Sequence, residues 1–446
     1  LSAKDSPSDK PSPNAARSGA GPRRLKVALL GCGTVGAQVA RILLQDAAEL
    51  AARSGAQLEL IGIAVRNTAT RRDVQLPAEL FTTDAASLID QADVVIELLG
   101  GLDPAGTYIQ RALRRGASVI TGNKALIAAE GAGLGALAAE NGAQLRYEAA
   151  VAGAIPILRP IADSLAGDHI TKVLGIVNGT TNFILDAMDS TGAAFGDVLA
   201  EAQQLGYAEA DPTADVEGHD AAAKAAILAS LAFHTEVAMD QVHCQGITQI
   251  TAQEVADAKA SGYVIKLLAI AERTAAGISA RVHPALLERS HPLASVRGAF
   301  NAVFVEAENA GDLMFYGAGA GGAPTASAVM GDVVSVARRL AAGGPLPLSS
   351  HTSPATLVDF AHIDTRYWIG LSVSDQPGML ARIATVFAEH GVSIEAMNQS
   401  AADDGSAHLR ILTHRGAEAA LSSTVQALGA LDTVASVTSV LRVEGN

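Results

Sequence analysis

Only two cysteines, Cys32 and Cys244, occur in 446 residues, too few for a disulfide framework and fitting a reducing compartment such as the cytoplasm. Basic charge is also short: 32 lysines and arginines against 46 acids leave a formal net charge of -14. Nucleic-acid recognition usually leaves a basic footprint, so that class is dropped. No apolar run reaches the roughly 20 residues a membrane-spanning helix needs, and the long alanine-rich stretch is broken by Lys224. Arg23-Arg24 ahead of LKVALL faintly suggests an export signal, but the run stops at a glycine loop before any cleavage-like region. What is present is a 49% hydrophobic content, ample for sizeable cores, in a length that suggests about three domains. Residues 1–24, rich in Ser, Pro, Ala and charge, read as a disordered tail.

Against that background the stretch Leu205 to Lys224, LGYAEADPTADVEGHDAAAK, gathers acids at Glu209, Asp211, Asp215, Glu217 and Asp220 ahead of one lysine. From His219 the chain reads HDAAAKAAILASLAF, an alanine-rich helix pattern in which Lys224 is isolated. Asp220 and Lys224 are four apart, so both lie on one helix face, one turn from each other. The carboxylate opposes the desolvation that would neutralise a partly buried lysine. Such a lysine can donate a proton to a developing alkoxide, or take one from an alcohol. The alternative is an exposed ion pair contributing roughly 0.2 to 0.5 kcal/mol. Asp211-Pro212 does not continue a helix easily, which leaves Glu209 and Asp211 on a loop just ahead.

Near the start, Leu25 to Leu30 is a short apolar run ending in GCGTVG, followed by the helix-like AQVARILL. Gly31, Gly33 and Gly36 hold the G-x-G-x-x-G positions, with Thr34 and Val35 between the last two. The first glycine permits a tight turn, the second lets a pyrophosphate approach the backbone, and the third lets helix and strand pack closely. A second strand, LELIGIAV, and a third apolar run, ADVVIELLGG, complete the dinucleotide-binding pattern. The acid that usually closes the second strand and binds the ribose of NAD is missing; Arg66 stands there, with Arg71 and Arg72 nearby. Positive charge at that place favours the 2'-phosphate of NADP, the alternative being a solvated loop face. Further on, ASVITGNKALIA is a strand leading into a turn at the mouth of the cleft, with Lys124 on it.

These segments, with YEAAVAGAIPIL, GIVNGTTNFIL, HPLASVRGAFNAV and FYGAGAGGAPTASAV in the same order, resemble homoserine dehydrogenase over about residues 25 to 350. The resemblance implies reversible reduction of L-aspartate 4-semialdehyde to L-homoserine by NADPH, with NADH possible, in the branch toward threonine and methionine. It makes Lys224 the proton donor and puts Lys124 near the reacting carbon, against cofactor or substrate. Glu209 and Asp220, with Asp215, would hold the substrate's amino acid end, and Gly206 would lie beside substrate and cofactor. Gly317 and Gly319 of the glycine-rich loop would touch the cofactor. Glu148 with the backbone of Val151, Gly153 and Ile155 matches the family's monovalent cation loop, for sodium or potassium. The family assembles through the sheet of its substrate domain, so a homodimer or homotetramer is implied. Two other classes are weighed. An aldehyde-oxidising enzyme needs a thiol nucleophile, yet Cys32 sits in the phosphate loop and Cys244 in no nucleophile motif. A catalytically inactive amino-acid sensor on the same fold is the other.

The expected architecture is α/β in three parts. Residues 25–147 form a Rossmann-type dinucleotide-binding domain and 148–320 an α+β substrate and dimerisation domain, with 321–342 a helix returning to the first. A Pro/Ser/Gly-rich linker spans 343–365. Residues 366–446 then restart as βαββαβ, the ferredoxin-like order. With V-x-D-x-P-G-x-L this resembles an ACT domain, a common amino-acid sensor; a plain oligomerisation domain is the alternative. The resemblance and feedback logic make L-threonine the expected effector. It would be met at Asp375 and at the Pro377-Gly378 turn, whose amides suit a carboxylate. The linker implies a module tied covalently but structurally separate.

Overall fold

The computed structural model describes residues 23–343, 355–401 and 406–445; residues 1–22 of the N-terminal tail and 344–354 of the linker segment lie outside them. Six strands, β1 (Arg23–Leu30), β2 (Ala56–Ala64), β3 (Phe81–Thr82), β4 (Val94–Glu97), β5 (Ser118–Thr121) and β6 (Leu145–Arg146), pair in parallel in the order β3-β2-β1-β4-β5-β6. Direction of winding reverses between β1 and β4, which opens a crevice at their carboxyl ends. β4 and β5, VVIE and SVIT, are buried throughout because helices cover both faces of the sheet. β1 starts at Arg23, two residues before the expected boundary, since Arg23 and Arg24 already pair with Ala56 and Gln57.

The second domain is built on β7 (Ile170–Ile176), β8 (His243–Cys244), β9 (Tyr263–Thr274), β10 (Gly277–Glu288), β11 (Phe300–Ala307) and β12 (Gly311–Ala318). The helix His219–Ala232 packs on this sheet and is buried almost all round, which its alanines permit by letting neighbours approach closely. The chain crosses back after β12, and the helix Gly322–Ala342 joins the first core, where Val329, Val333 and Val336 meet Val27 and Val39. The two crossings run side by side: Ala154 donates to the Ala318 carbonyl at 3.0 Å. A Cβ on Gly153, at φ +61°, would lie 2.3 Å from the Gly319 carbonyl oxygen.

The C-terminal part holds β13 (Asp364–Thr365), β14 (Tyr367–Ser374), β15 (Ile394–Ala401), β16 (Ser406–Thr413), β17 (Gly416–Ala417) and β18 (Val434–Glu444). With helices Met379–Glu389 and Glu418–Gly429 this is βαββαβ, in the order β18-β14-β16-β15. It is not structurally separate, which corrects the linker expectation. β18 pairs in parallel with β10, Leu286 opposite Val443, so one ten-stranded sheet runs through both domains. Residues 355–365 also pack rather than merely connect: Ile278 and Val358 exchange ladder bonds with their neighbours, and Phe360 stacks on His243 at 3.5 Å. None of the described helices is long and apolar enough to cross a membrane.

Candidate active site

Lys224 lies on the buried helix His219–Ala232, and its Nζ donates to Asp220 Oδ2 at 2.7 Å and to the Val177 carbonyl at 2.7 Å. Gly218, in the left-handed region at φ +84°, turns the chain into this helix where a Cβ would meet Cys244 Sγ at 3.1 Å. Lys124 opens the helix Lys124–Glu140 at the end of β5, capped by Asn123, whose side chain accepts from Leu126 N. From 96 residues away its Nζ reaches Asp220 Oδ1. Asp220 is thus buried between two lysines contributed by two domains.

The electrostatics follow from that placement. Burial would raise the Asp220 carboxyl, but Lys224 and Lys124 hold it far below the usual carboxylate range. Burial pulls the Lys224 ammonium below its ordinary value, with Asp220 opposing and Lys124 adding to the shift. An ammonium in that condition is a better proton donor than one in water, and it stays hydrogen-bonded. Asp220 was expected to hold the substrate. Both of its oxygens are engaged by lysine ammonium groups, and Oδ2 also accepts from Asn178 Nδ2.

Of the other expected substrate residues, Asp215 comes to the cluster through Asn178, whose Nδ2 donates to Asp215 Oδ1 at 2.7 Å and to Asp220 Oδ2 at 2.9 Å. Glu209 and Gly206 stand on the exposed loop ahead, tied to the site where Thr180 Oγ1 donates to the Tyr207 carbonyl at 2.6 Å. Asn178 was missed by the sequence reading. It stands two residues after the end of β7 and opens NGTTNF, so its helix-capping position was the signal that could have found it. Glu97 was missed too: at the end of β4 its carboxylate accepts from Leu99 N, Gly100 N and Thr121 Oγ1, shaping the loop at the cleft.

The nucleotide loop has the shape of a phosphate cradle. A Cβ would lie 2.6 Å from Leu98 O at Gly31 and 2.3 Å from Gly31 O at Gly36, whereas Gly33 faces open space at the start of the helix Thr34–Gln45. The chain around Thr34 and Val35 meets the second domain's glycine loop there, since a Cβ on Gly322 would lie 2.9 Å from Thr34. Gly317 pairs with Asn301 across β11 and β12, and Gly319 follows at the crossing. These residues fit a dinucleotide. Arg66 is exposed; Arg72, instead, donates from Nε to the Cys32 carbonyl at 3.3 Å and lies over the Phe81 ring at 4.3 Å. Burial pushes both thiols up, Cys32 against the pull of Arg72 and Cys244 with help from Glu217, which is the opposite of an activated nucleophile.

Glu148 of the expected cation loop is buried. The Glu148 carboxylate accepts from the backbone of Ile157, Leu158 and Arg159 at 2.6 to 2.8 Å and from Arg159 Nε at 3.0 Å. It caps a helix start, so a cation here would rely on backbone carbonyls such as those of Val151, Gly153 and Ile155. Among the described residues, no three or more His, Cys, Asp or Glu side chains are grouped to hold a metal ion.

Comparison with known proteins agrees part by part. Residues 31–148 match the NAD-binding domain model of homoserine dehydrogenase, 156–334 the homoserine dehydrogenase model itself and 367–433 the ACT domain model. A homoserine dehydrogenase of Corynebacterium glutamicum is 53% identical over 425 residues, covering 94% of this chain and 95% of that one. The crystal structure of a homoserine dehydrogenase from Thiobacillus denitrificans superposes with a TM-score of 0.88 at 39% identity, covering 95% and 98% of the two chains. A hyperthermophilic archaeal homoserine dehydrogenase, solved in complex with NADPH, has a TM-score of 0.59 at 26% identity and covers 70% and 97%. Given this agreement over nearly the whole length, the chain belongs to the homoserine dehydrogenase family, NAD(P)-dependent oxidoreductases acting on an alcohol, and carries a C-terminal ACT domain.

Proposed function

We propose that this chain interconverts L-aspartate 4-semialdehyde and L-homoserine with NADP as cofactor, on the way to threonine and methionine. The observation that carries the reading is a buried lysine, Lys224, made acidic by its surroundings and paired with the same carboxylate as Lys124. A bound nicotinamide supplies or accepts the hydride. As the aldehyde is reduced, negative charge grows on its oxygen; Lys224 gives that oxygen a proton and Lys124 adds a second positive charge. Glu209 and Asp215 are free of lysine partners in the cluster and suit the substrate's ammonium group. Gly206, with open space where a Cβ would stand, leaves room for substrate and cofactor, whereas Gly319 makes way for the Asn301 side chain.

Preference for NADP rests on Arg66, Arg71 and Arg72 clustered after β2, where no acid closes the strand and Asp73 lies further along. Arg72 is the best placed, because its guanidinium already lies against the glycine loop. A spectrophotometric assay with homoserine and NADP, then NAD, tests both claims: no turnover sinks the reaction, and equal kcat/KM sinks the preference. Arg72→Asp should erode it more than Arg66→Asp.

The same reading includes a sodium or potassium ion at the carbonyl loop from Glu148 to Ile155, checked by replacing both ions with tetramethylammonium. It also includes a homodimer or homotetramer in the cytoplasm, checked by sedimentation. L-threonine is the proposed effector at the exposed turn of Asp375 and Gly378, where Gly378 at φ +89° starts the helix Met379–Glu389. To inhibit, it must bind the less active arrangement more tightly, typically by about 1 to 3 kcal/mol of coupling. Asp375→Ala should shift the threonine inhibition curve to higher concentration; an unmoved curve removes the turn from the argument.

A further inference from the structure

Asn178 meets both carboxylates of the cluster with one nitrogen. Its Oδ1 accepts from Thr181 N at 2.9 Å and from Thr181 Oγ1 at 3.0 Å, capping the helix Gly179–Thr191. A backbone N–H can only donate, so the oxygen must face it and the amide cannot flip. Nδ2 is therefore held toward Asp215 and Asp220. The residue before it supplies the carbonyl that Lys224 Nζ binds, so one corner of backbone serves the lysine and its counter-ion together.

We propose that Asn178 is a positioning residue for the reaction: its amide nitrogen keeps Asp215 and Asp220 together as anions and so fixes Asp220 between Lys124 and Lys224. Two carboxylates brought this close without a shared donor repel, and one of them takes up a proton. A protonated or displaced Asp220 would release both lysines. The inference rests on the reductase reading above and deepens it.

Asn178→Asp separates this role from helix capping, because aspartate is as good a cap acceptor and nearly the same shape, but ionised it has nothing to donate. The wild type is assayed first for NADP-dependent homoserine oxidation and semialdehyde reduction; absence of both would overturn the reading and this inference with it. With an active wild type, kcat of the variant should fall about ten- to a hundredfold near pH 8, as expected for losing hydrogen bonds to charged groups. The affinity for NADPH, followed by its fluorescence, should hold.

The pH profile supplies the decisive readout. The charged groups facing position 178 are Asp215, Asp220 and Lys224 from the segment 213–232, and Lys124 from the helix Lys124–Glu140. The lysines favour an ionised carboxylate at position 178, but both already answer Asp220. A third carboxylate among them holds a proton more readily than a free one, and once protonated its O–H donates where the amide did. The ratio of variant to wild-type kcat should therefore rise as pH falls from about 8 to about 6. Wild-type kcat in the variant, or a loss that is flat with pH, would overturn the proposal. Should the aspartate variant not fold, Asn178→Ser, which caps the helix but cannot bridge two carboxylates, must lose kcat while binding NADPH, and wild-type kcat in it would overturn the proposal equally.

Discussion

Asp220 and Glu444 are both buried carboxylates set between two cations from distant parts of the chain, yet one cluster faces a cleft and the other is sealed. Glu444, on β18, meets Lys172 Nζ at 3.0 Å and Arg281 Nη2 at 2.8 Å, and Arg281 also meets Glu272 at 2.9 Å. Arg281 and Glu444 side chains are 1% and 2% exposed, whereas Lys124 beside Asp220 is 46% exposed. In the sealed cluster two carboxylates answer two cations. Burial works against the Arg281 guanidinium, but Glu444 and Glu272 more than offset it. In the cleft only Asp220 touches the two lysines, Asp215 standing behind Asn178, and burial wins at Lys224. The two lysines of the candidate active site thus share one contacting carboxylate, which suits a place where an alkoxide would develop, while the domain junction is neutralised by direct contacts.

Lys224→Met breaks the cleft side of the comparison and should have the largest effect. Turnover should drop about a hundred- to ten-thousand-fold, the usual contribution of a general acid, while NADPH still binds. Retention of more than about half the wild-type kcat would remove Lys224 from the proton path. Lys124 and Asn178 remain to hold Asp220, so the loss should appear in kcat rather than in the melting temperature.

Glu444→Gln breaks the sealed side and should do the reverse. It leaves Arg281 and Lys172 buried without their common anion, which typically costs about 3 to 5 kcal/mol of stability. Thermal unfolding should show this, with kcat per folded molecule near that of the wild type. A variant that melts with the wild type would make the junction as dispensable as a surface ion pair. Ending the chain near His351 removes Glu444 together with β18 and bares the edge of β10, so it should unfold earlier still rather than yield a clean enzyme without its ACT domain.

The contrast also marks what a sequence can carry. Gly31, Gly33 and Gly36 were legible because turn, phosphate approach and helix packing all act within a few residues. The pair Asp220 and Lys224 was legible because helical periodicity sets it. Lys124 was visible as a lysine on a cleft turn, but nothing local says that it meets Asp220 from 96 residues away. The junction was hidden for the same reason: Lys172 and Glu444 lie 272 residues apart, on strands that pattern assigns to separate modules. The backbone amides of Ile157, Leu158 and Arg159 that meet the Glu148 carboxylate were hidden as well, because main-chain direction is a detail that composition does not record.

A third buried carboxylate sharpens the rule with the smallest effect. Asp332 accepts from Glu148 N at 2.8 Å, yet its other oxygen has Arg159 only at 3.5 Å, and that guanidinium is shared with Glu148. Burial, assisted by the Glu148 charge and against the bond from Glu148 N and the pull of Arg159 and Arg146, raises Asp332 to about 7. It is one cation short, where Glu444 is fully answered. The sign follows from linkage: a carboxyl whose folded value lies above its unfolded value favours folding while protonated. That advantage is lost as pH rises from the ordinary carboxylate range through about 7, and is fully gone above. Asp332→Asn keeps an acceptor for Glu148 N and removes the titration. Its melting temperature relative to the wild type should therefore be higher at about pH 8 than at about pH 5, by on the order of 1 kcal/mol, or a degree or two in a chain of this length. A difference that does not change between the two pH values would mean that Asp332 is already ionised and satisfied, and that the count of cations around a buried acid does not set its state here.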